Sequence, residues 1–522
     1  MTATLYRSPE PVSQAALATL LSGAFTVVEE TALSQDGNYL DTFDWRLYNR
    51  SRALLLSGNT LTLTSLDGDG DSLEAVVERQ PVYARDLPAG QLSKQVSPVL
   101  DMRALLVRAR AHTVTTTFRA LNDDEKTVCR LAVDAVSLPE RNEAAETFVR
   151  LLPVRGYDRD LEEIAERLAA GGARALAPGE FYHAVMRAAD QEPGGYQPKP
   201  AVPLDPAMRA DAAMKALLRA ELEVIQINEP YIPQDIDTEF LHDYRVALRR
   251  ARSALAEVKG VFADDSTRKL RTDLQFANQF SNELRDLDVY LLSEERYRAM
   301  LPPQLRDGIA PLFAHLQARR TSALSTLVEA LASPEYRRIM ADWAAFLDEP
   351  VARQAVSRTG KRPVLEVANR RIDKQVRQVL KGGRAITSES PDVMLHALRI
   401  ECKKLRYLME LFSGLYSQRE LNGPVKQLRT LQGNLGDFND LSVQEAYLMR
   451  TAAEMAARRR PAPDTLMAIG ALVAALDAER TAVRGAFGDT FAAFAARENR
   501  DRFTQLFGSS PTADKEAASA AG

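Results

Sequence analysis

The sequence predicts an α+β chain of two parts: antiparallel strands first, then an all-α domain built from one duplicated helical unit. Three observations predict this. β-Branched or alternating runs broken by turn residues occupy about the first 160 positions. A stretch crowded with proline and glycine, 191–204, then interrupts regular structure. Beyond it the apolar period lengthens to that of helices, and one basic helix pattern occurs twice at a constant spacing. The expected organisation is a β domain over 1–190, a linker over 191–204 and a helical domain over 205–507 with halves at about 205–350 and 360–507. The tail, 508–522, is small, polar and expected to be disordered.

Strands are expected at 25–28, 52–56, 60–66, 73–77, 112–118, 128–136 and 147–154. The separating turns are Asp36-Gly37-Asn38, Ser57-Gly58-Asn59 and Asp67-Gly68-Asp69-Gly70. Helices follow at 160–169, stopped by Gly171-Gly172, and at 178–189. In the second part the main amphipathic helices are 207–226, 238–259, 266–292, 364–379, 391–412 and 425–448.

Composition bounds the function without assigning it. Apolar residues make up 45% and charged residues 26%, so a soluble globular chain is expected. The net charge of −4 means that any polyanion must be recognised by a local patch. Cys129 and Cys402 stand alone, which favours a reducing compartment over a disulfide framework. The apolar stretch 15–28 follows Glu10 and Pro11 and has only Arg7 in front, which does not read as a secretion signal. No apolar run reaches the roughly 18 residues of a membrane span. The expected localisation is cytoplasmic, with no membrane partner.

The repeat carries the functional argument. A shift of 154 takes His242 to His396, Arg245 to Arg399, Arg249 to Lys403, Arg250 to Lys404 and Arg252 to Arg406. It also takes Leu241 to Leu395, Gly260 to Gly414, Leu274 to Leu428, Asp286 to Asp440 and Leu287 to Leu441, without a gap. Asp237 is expected to cap the first helix, Ser390 with Pro391 to open the second, and the glycines to close both. At 100° per residue, His242, Arg245, Arg249 and Arg252 share one face, Arg250 stands apart, and Leu241, Tyr244, Leu248, Ala251 and Leu255 form a core face. Leu395, Leu398, Cys402, Leu405 and Met409 form the same core face in the second copy. Like charges three or four residues apart repel by a few tenths of a kcal/mol per pair, a cost that a bound polyanion offsets. Arginine forks suit phosphate, and histidine gains charge as pH falls.

At these residues the chain resembles the CHAD domain, the conserved-histidine α-helical domain. The resemblance lies in Leu241-His242-Asp243-Tyr244-Arg245 through Arg252, in Leu395-His396-Ala397-Leu398-Arg399-Ile400 with Lys403-Lys404-Leu405-Arg406-Tyr407, in Arg285-Asp286-Leu287-Asp288, and in 431–440. It implies two pseudo-symmetric four-helix bundles around a basic groove that binds inorganic polyphosphate, often on polyphosphate granules. The implied binding residues are His242, Arg245, Arg249, Arg250, Arg252, His396, Arg399, Lys403, Lys404 and Arg406, with Arg371 and Lys374 as secondary basic candidates.

The first part resembles, more weakly, the CYTH fold, an antiparallel β tunnel whose active members are metal-dependent triphosphatases. The segment Tyr39-Leu40-Asp41-Thr42-Phe43-Asp44-Trp45-Arg46-Leu47 carries that resemblance. The family's opening Glu-x-Glu-x-Lys strand is here Thr2-Ala3-Thr4-Leu5-Tyr6-Arg7, which holds no carboxylate. A divalent cation at a triphosphate needs hard oxygen ligands, and the remaining acids, Asp41 with Asp44, Asp134 and Glu146, are scattered over three segments. The expectation is therefore a degenerate, non-catalytic domain with no cofactor; Mg²⁺ or Mn²⁺ would matter only for the rival reading, a triphosphatase with a polyphosphate-binding appendage. The chain shows no phosphate-binding glycine loop, zinc spacing or nucleophile elbow. Nucleic acid is disfavoured because no aromatic platform separates the bases.

Overall fold

The computed structural model describes residues 4–68, 72–139, 146–351, 358–458 and 462–508. The expected disordered tail lies outside the described residues except for Gly508, and so do Asp69 and Gly70 of one expected turn. The chain forms two units, Met1–Gln197 and Pro198–Gly522.

The first unit is a nine-stranded antiparallel sheet with four helices. Its strands are β1 (Thr4–Ser8), β2 (Thr26–Asp41), β3 (Arg52–Ser57), β4 (Thr60–Ser65), β5 (Leu73–Val76), β6 (Leu106–Leu121), β7 (Thr127–Ser137), β8 (Glu146–Pro153) and β9 (Arg174–Ala175), and its helices are α1 (Gln14–Leu20), α2 (Gln91–Leu100), α3 (Asp158–Ala170) and α4 (Glu180–Ala188). The strand order is β5-β4-β3-β2-β6-β7-β8-β1-β9. One expectation is overturned here. Asp36-Gly37-Asn38 is not a turn but the middle of β2, where Gly37 faces Ser57 on one side and Ala111 on the other. Ladder bonds on both edges override the local turn preference. Glycine serves close packing instead, since a Cβ there would stand 2.9 Å from the Leu55 side chain. Three apolar clusters line the sheet. One joins Leu17 and Ile164 of the helices to Phe118, Leu131 and Val149 of the strands.

The second unit is all helical: α5 (Ala210–Asn228), α6 (Thr238–Glu257), α7 (Asp264–Gln279), α8 (Asn282–Leu292), α9 (Glu294–Met300), α10 (Ala310–Ala332), α11 (Pro334–Asp348), α12 (Val364–Arg384), α13 (Asp392–Leu411), α14 (Gln418–Arg458), α15 (Pro463–Gly485), α16 (Phe487–Phe494) and α17 (Arg497–Phe507). The duplication extends well beyond the basic motif. A shift of 154 carries the first residue of α5 onto that of α12, and likewise α6 onto α13 and α7 onto α14. The last residue of α6, Glu257, maps onto Leu411, the last of α13.

Helix α6 starts where Asp237 accepts the Glu239 N–H at 2.9 Å, and it ends before Gly260 at φ +74°. Between them Phe240, Leu241, Tyr244, Ala247, Leu248, Ala251, Ala254 and Leu255 are buried, each large apolar side chain contributing about 1.5–3 kcal/mol. The second copy departs from expectation at both ends. Ser390 does not cap α13, because its hydroxyl accepts the Thr387 N–H and Pro391 holds the capping position. Gly414 has no positive φ; it lies in a short 3-10 turn, where a Cβ would stand 2.6 Å from the Val202 carbonyl oxygen.

The expected helix 266–292 is broken. It divides into α7 and α8 at Phe280-Ser281, whereas α14 runs unbroken through the equivalent Asn434-Leu435. Ser281 supplies the physical cause. Its hydroxyl donates to the Asn278 carbonyl at 2.7 Å and accepts from Arg245 Nη1 at 2.7 Å, which competes with the helical ladder. None of the described helices is long and apolar enough to cross a membrane.

Candidate anion-binding cleft

The basic faces of α6 and α13 share one surface over only part of their length. They bound a cleft of about 680 Å³. From α6 and the residues after it come Arg249, Arg252 and Lys259, and from α13 come Arg399, Lys403 and Lys404. Helix α7 adds Arg268 and Arg271, which sequence reasoning passed over because no basic residue recurs 154 positions later, at Asn422 and Val425. Eight cationic side chains thus face two carboxylates, Glu257 and Asp264.

The electrostatics record the crowding. Burial, then repulsion from Arg399 and Arg249, pushes the Lys403 ammonium down to about 8. Burial and the nearby Arg271 lower Arg252. Among the described residues, Arg252, Arg271 and Lys403 make no hydrogen bond or ion pair within the chain. Some neighbours are partly compensated: Arg399 pairs with Asp440 at 3.1 Å, Lys404 with Glu401 at 2.8 Å, and Arg268 with Asp265 at 2.6 Å. One aromatic ring, Tyr407, also lines the cleft, with Arg249 5.8 Å and Arg406 5.2 Å from its centroid.

Five of the ten residues singled out in the sequence line this cleft. The other five do not. Arg245 donates to Ser281 and to Asn282 Oδ1 at 2.9 Å, bracing the break between α7 and α8; burial, opposed by Asp286, brings its guanidinium down to about 10, still cationic at neutral pH. Arg250 turns inward and pairs with the buried Glu221 of α5 at 3.2 Å, both side chains being no more than a tenth exposed. Arg406 lies 3.6 Å from Glu410. His396 is exposed, its Nδ1 2.7 Å from Asn439 Oδ1. His242 is half-buried and does not line the cleft. Arg371 and Lys374 line a separate, smaller cleft.

Lys403 would make the binding of any anion in this cleft pH-dependent. Above about pH 8 the free protein loses this charge, so an anion must restore the proton in order to use it. Affinity for a polyanion is expected to fall by up to about tenfold per pH unit above 8. Fold stability should move the other way. The unfolded chain keeps the proton to about 10.5, so it binds more protons between 8 and 10.5, and stability rises with pH across that window. Titrating binding and thermal unfolding in parallel checks both signs. Lys403→Arg should flatten both curves; a Lys403→Arg protein that keeps the full slope would reassign the effect.

The acids of the first unit do not converge. Asp41 is buried and accepts the N–H groups of Thr42, Leu47 and Tyr48 at 2.7, 3.0 and 2.9 Å, organising the turn that follows β2. Burial outweighs these bonds and pushes its carboxyl up to about 6. Burial also acts on Asp44, but Arg103 and Arg46 outweigh it and hold that carboxyl low. Asp134 is bidentate to Arg150, and Glu146 pairs with Arg7 at 3.0 Å. No group of three or more potential metal ligands occurs among the described residues.

Fold and cleft together define a repeated helical protein whose two copies present cations to one shared surface. Residues 216–449, from α5 into α14, match the CHAD domain family model, and this part of the chain is a CHAD domain. Two uncharacterized proteins from strains of Mycobacterium tuberculosis are 25% identical over 297 residues, a match covering 56% of this chain and 54% of each relative. The chain thus spans about half the length of the curated relatives it matches. Among solved structures, the CHAD domain from the plant Ricinus communis is 26% identical with a TM-score of 0.48, covering 57% of this chain and 96% of that one. PptA from Streptomyces chartreusis is 22% identical with a TM-score of 0.41, covering 54% and 99%.

Proposed function

We propose that the helical unit binds inorganic polyphosphate in the α6–α7–α13 cleft and that this is the protein's main biochemical activity. The observation that carries the reading is the convergence of eight cations, from α6 and the residues after it, α7 and α13, on one open cleft, several of them without partners inside the chain. Such a site suits a ligand with repeated negative charge and no sequence, because forks and ammonium groups can engage successive phosphates in any register. One ring, Tyr407, is too little to stack successive bases, which favours polyphosphate over single-stranded nucleic acid. On this reading the protein associates with polyphosphate granules in the cytoplasm. The first unit is then a non-catalytic accessory, since Asp41, Asp44, Asp134 and Glu146 are engaged by internal partners, and the reading requires no cofactor.

The test is salt-dependent binding of long-chain polyphosphate to the full chain. Cation release predicts a log–log slope of about −4 to −6 for a site of this charge. Binding without salt dependence, or equal affinity for single-stranded DNA, would remove the reading.

A further inference from the structure

The second cleft lies on α12 and has a volume of about 250 Å³. Arg358, Arg362, Arg370, Arg371 and Lys374 line it against one carboxylate, Glu366. Arg362 is paired with Glu366 at 2.7 Å. Arg370 and Lys374 are exposed and make no ion pair among the described residues.

Two further facts set this cluster apart from an ordinary solvated face. The first is its position. Arg371 Nη2 donates to the main-chain carbonyl of Lys259 at 2.6 Å, and Lys259 lines the α6–α7–α13 cleft. One guanidinium therefore joins the walls of both clefts, and Glu257 of the larger cleft acts electrostatically on Arg371 and on Lys404. The second is its absence from the other copy. A shift of 154 places Met208, Ala216, Leu217 and Ala220 where Arg362, Arg370, Arg371 and Lys374 stand. The repeat folds without cations at these positions, so packing does not demand them. Their mutual repulsion is tolerated in one half only, on the side that adjoins the larger cleft.

We infer that the α12 cleft is a second phosphate-binding subsite, engaged by the same condensed-phosphate chain after it leaves the α6–α7–α13 cleft. This inference rests on the polyphosphate reading above and adds a length requirement to it. A short oligophosphate fills the first cleft alone. A long chain passes Arg371 and reaches Arg370 and Lys374, so its second contact is intramolecular and its affinity is raised by effective concentration. The single-copy placement also gives the protein one extended arm of positive charge rather than two symmetric ones.

The experiment compares the full-length wild type with Arg370→Glu/Lys374→Glu, both exposed positions whose replacement leaves the core untouched. Binding of tripolyphosphate and of long-chain polyphosphate is measured for each. The expected result is an affinity about tenfold or more weaker for the long chain in the variant, with tripolyphosphate within about twofold of wild type. Unchanged long-chain affinity overturns the inference, and so does an equal loss for both ligands, which would reduce α12 to diffuse attraction. A wild type that binds neither ligand instead overturns the polyphosphate reading itself.

Discussion

Charge reversal of Arg249, Arg271 and Lys403 together is expected to weaken polyphosphate binding by about a thousandfold while leaving the fold intact. One residue comes from each wall of the cleft, α6, α7 and α13. A hydrogen bond to a charged group is worth at least about 1.5 kcal/mol, so three lost contacts amount to about 4–5 kcal/mol. The fold should tolerate the change because Arg249 and Arg271 are exposed and Lys403 is destabilised by its cationic neighbours. Binding isotherms and thermal unfolding of the triple variant check the two halves of this statement. A variant that unfolds at the wild-type temperature and still binds at wild-type affinity would move the site elsewhere.

Arg250→Ala should do the reverse. Arg250 belongs to the same repeated motif, yet its guanidinium is buried against Glu221. Burial pushes the Glu221 carboxyl up to about 7, and Arg250 is the group that opposes this. Removing the arginine leaves a buried acid next to the repulsive field of Glu410, which should cost about 3–5 kcal/mol of stability. Sign and pH follow from Glu221. Its raised pKa means that the folded state already holds the proton more tightly than the unfolded chain, so the loss should be smallest at acidic pH and grow as pH rises through about 7. Denaturant unfolding measures it. The folded fraction should bind polyphosphate as the wild type does, and a variant with normal stability and lost binding would restore Arg250 to the ligand site.

These two outcomes separate residues that a motif groups together. Arg249 and Arg250 are adjacent in the chain, but one faces the cleft and the other the helix interface. Helical periodicity already sets them 100° apart. It does not say which of the two directions is covered by a neighbour. That depends on α5 lying against α6 and supplying Glu221. The same holds for Arg245, whose position on the basic face is right but whose guanidinium is taken up by Ser281 and Asn282 at the break between α7 and α8. The histidines that head both motifs lie outside the cleft, whose lining from these two helices begins at Arg249 in α6 and at Arg399 in α13.

The sequence by itself determined the two-part architecture, the helical character of the second part and the duplication at 154, because apolar period, turn chemistry and internal similarity are local or additive signals. It also located the basic faces of α6 and α13. Only the tertiary structure decided which cations share a surface. It brought in Arg268 and Arg271 of α7, withdrew Arg245 and Arg250, and placed Arg371 between two clefts. It likewise turned Asp36-Gly37-Asn38 from a turn into a paired strand. The physical reason is common to all of these. Electrostatic sites and two-sided hydrogen-bond ladders depend on which elements become neighbours, and the energy of neighbouring elements is non-local in the chain.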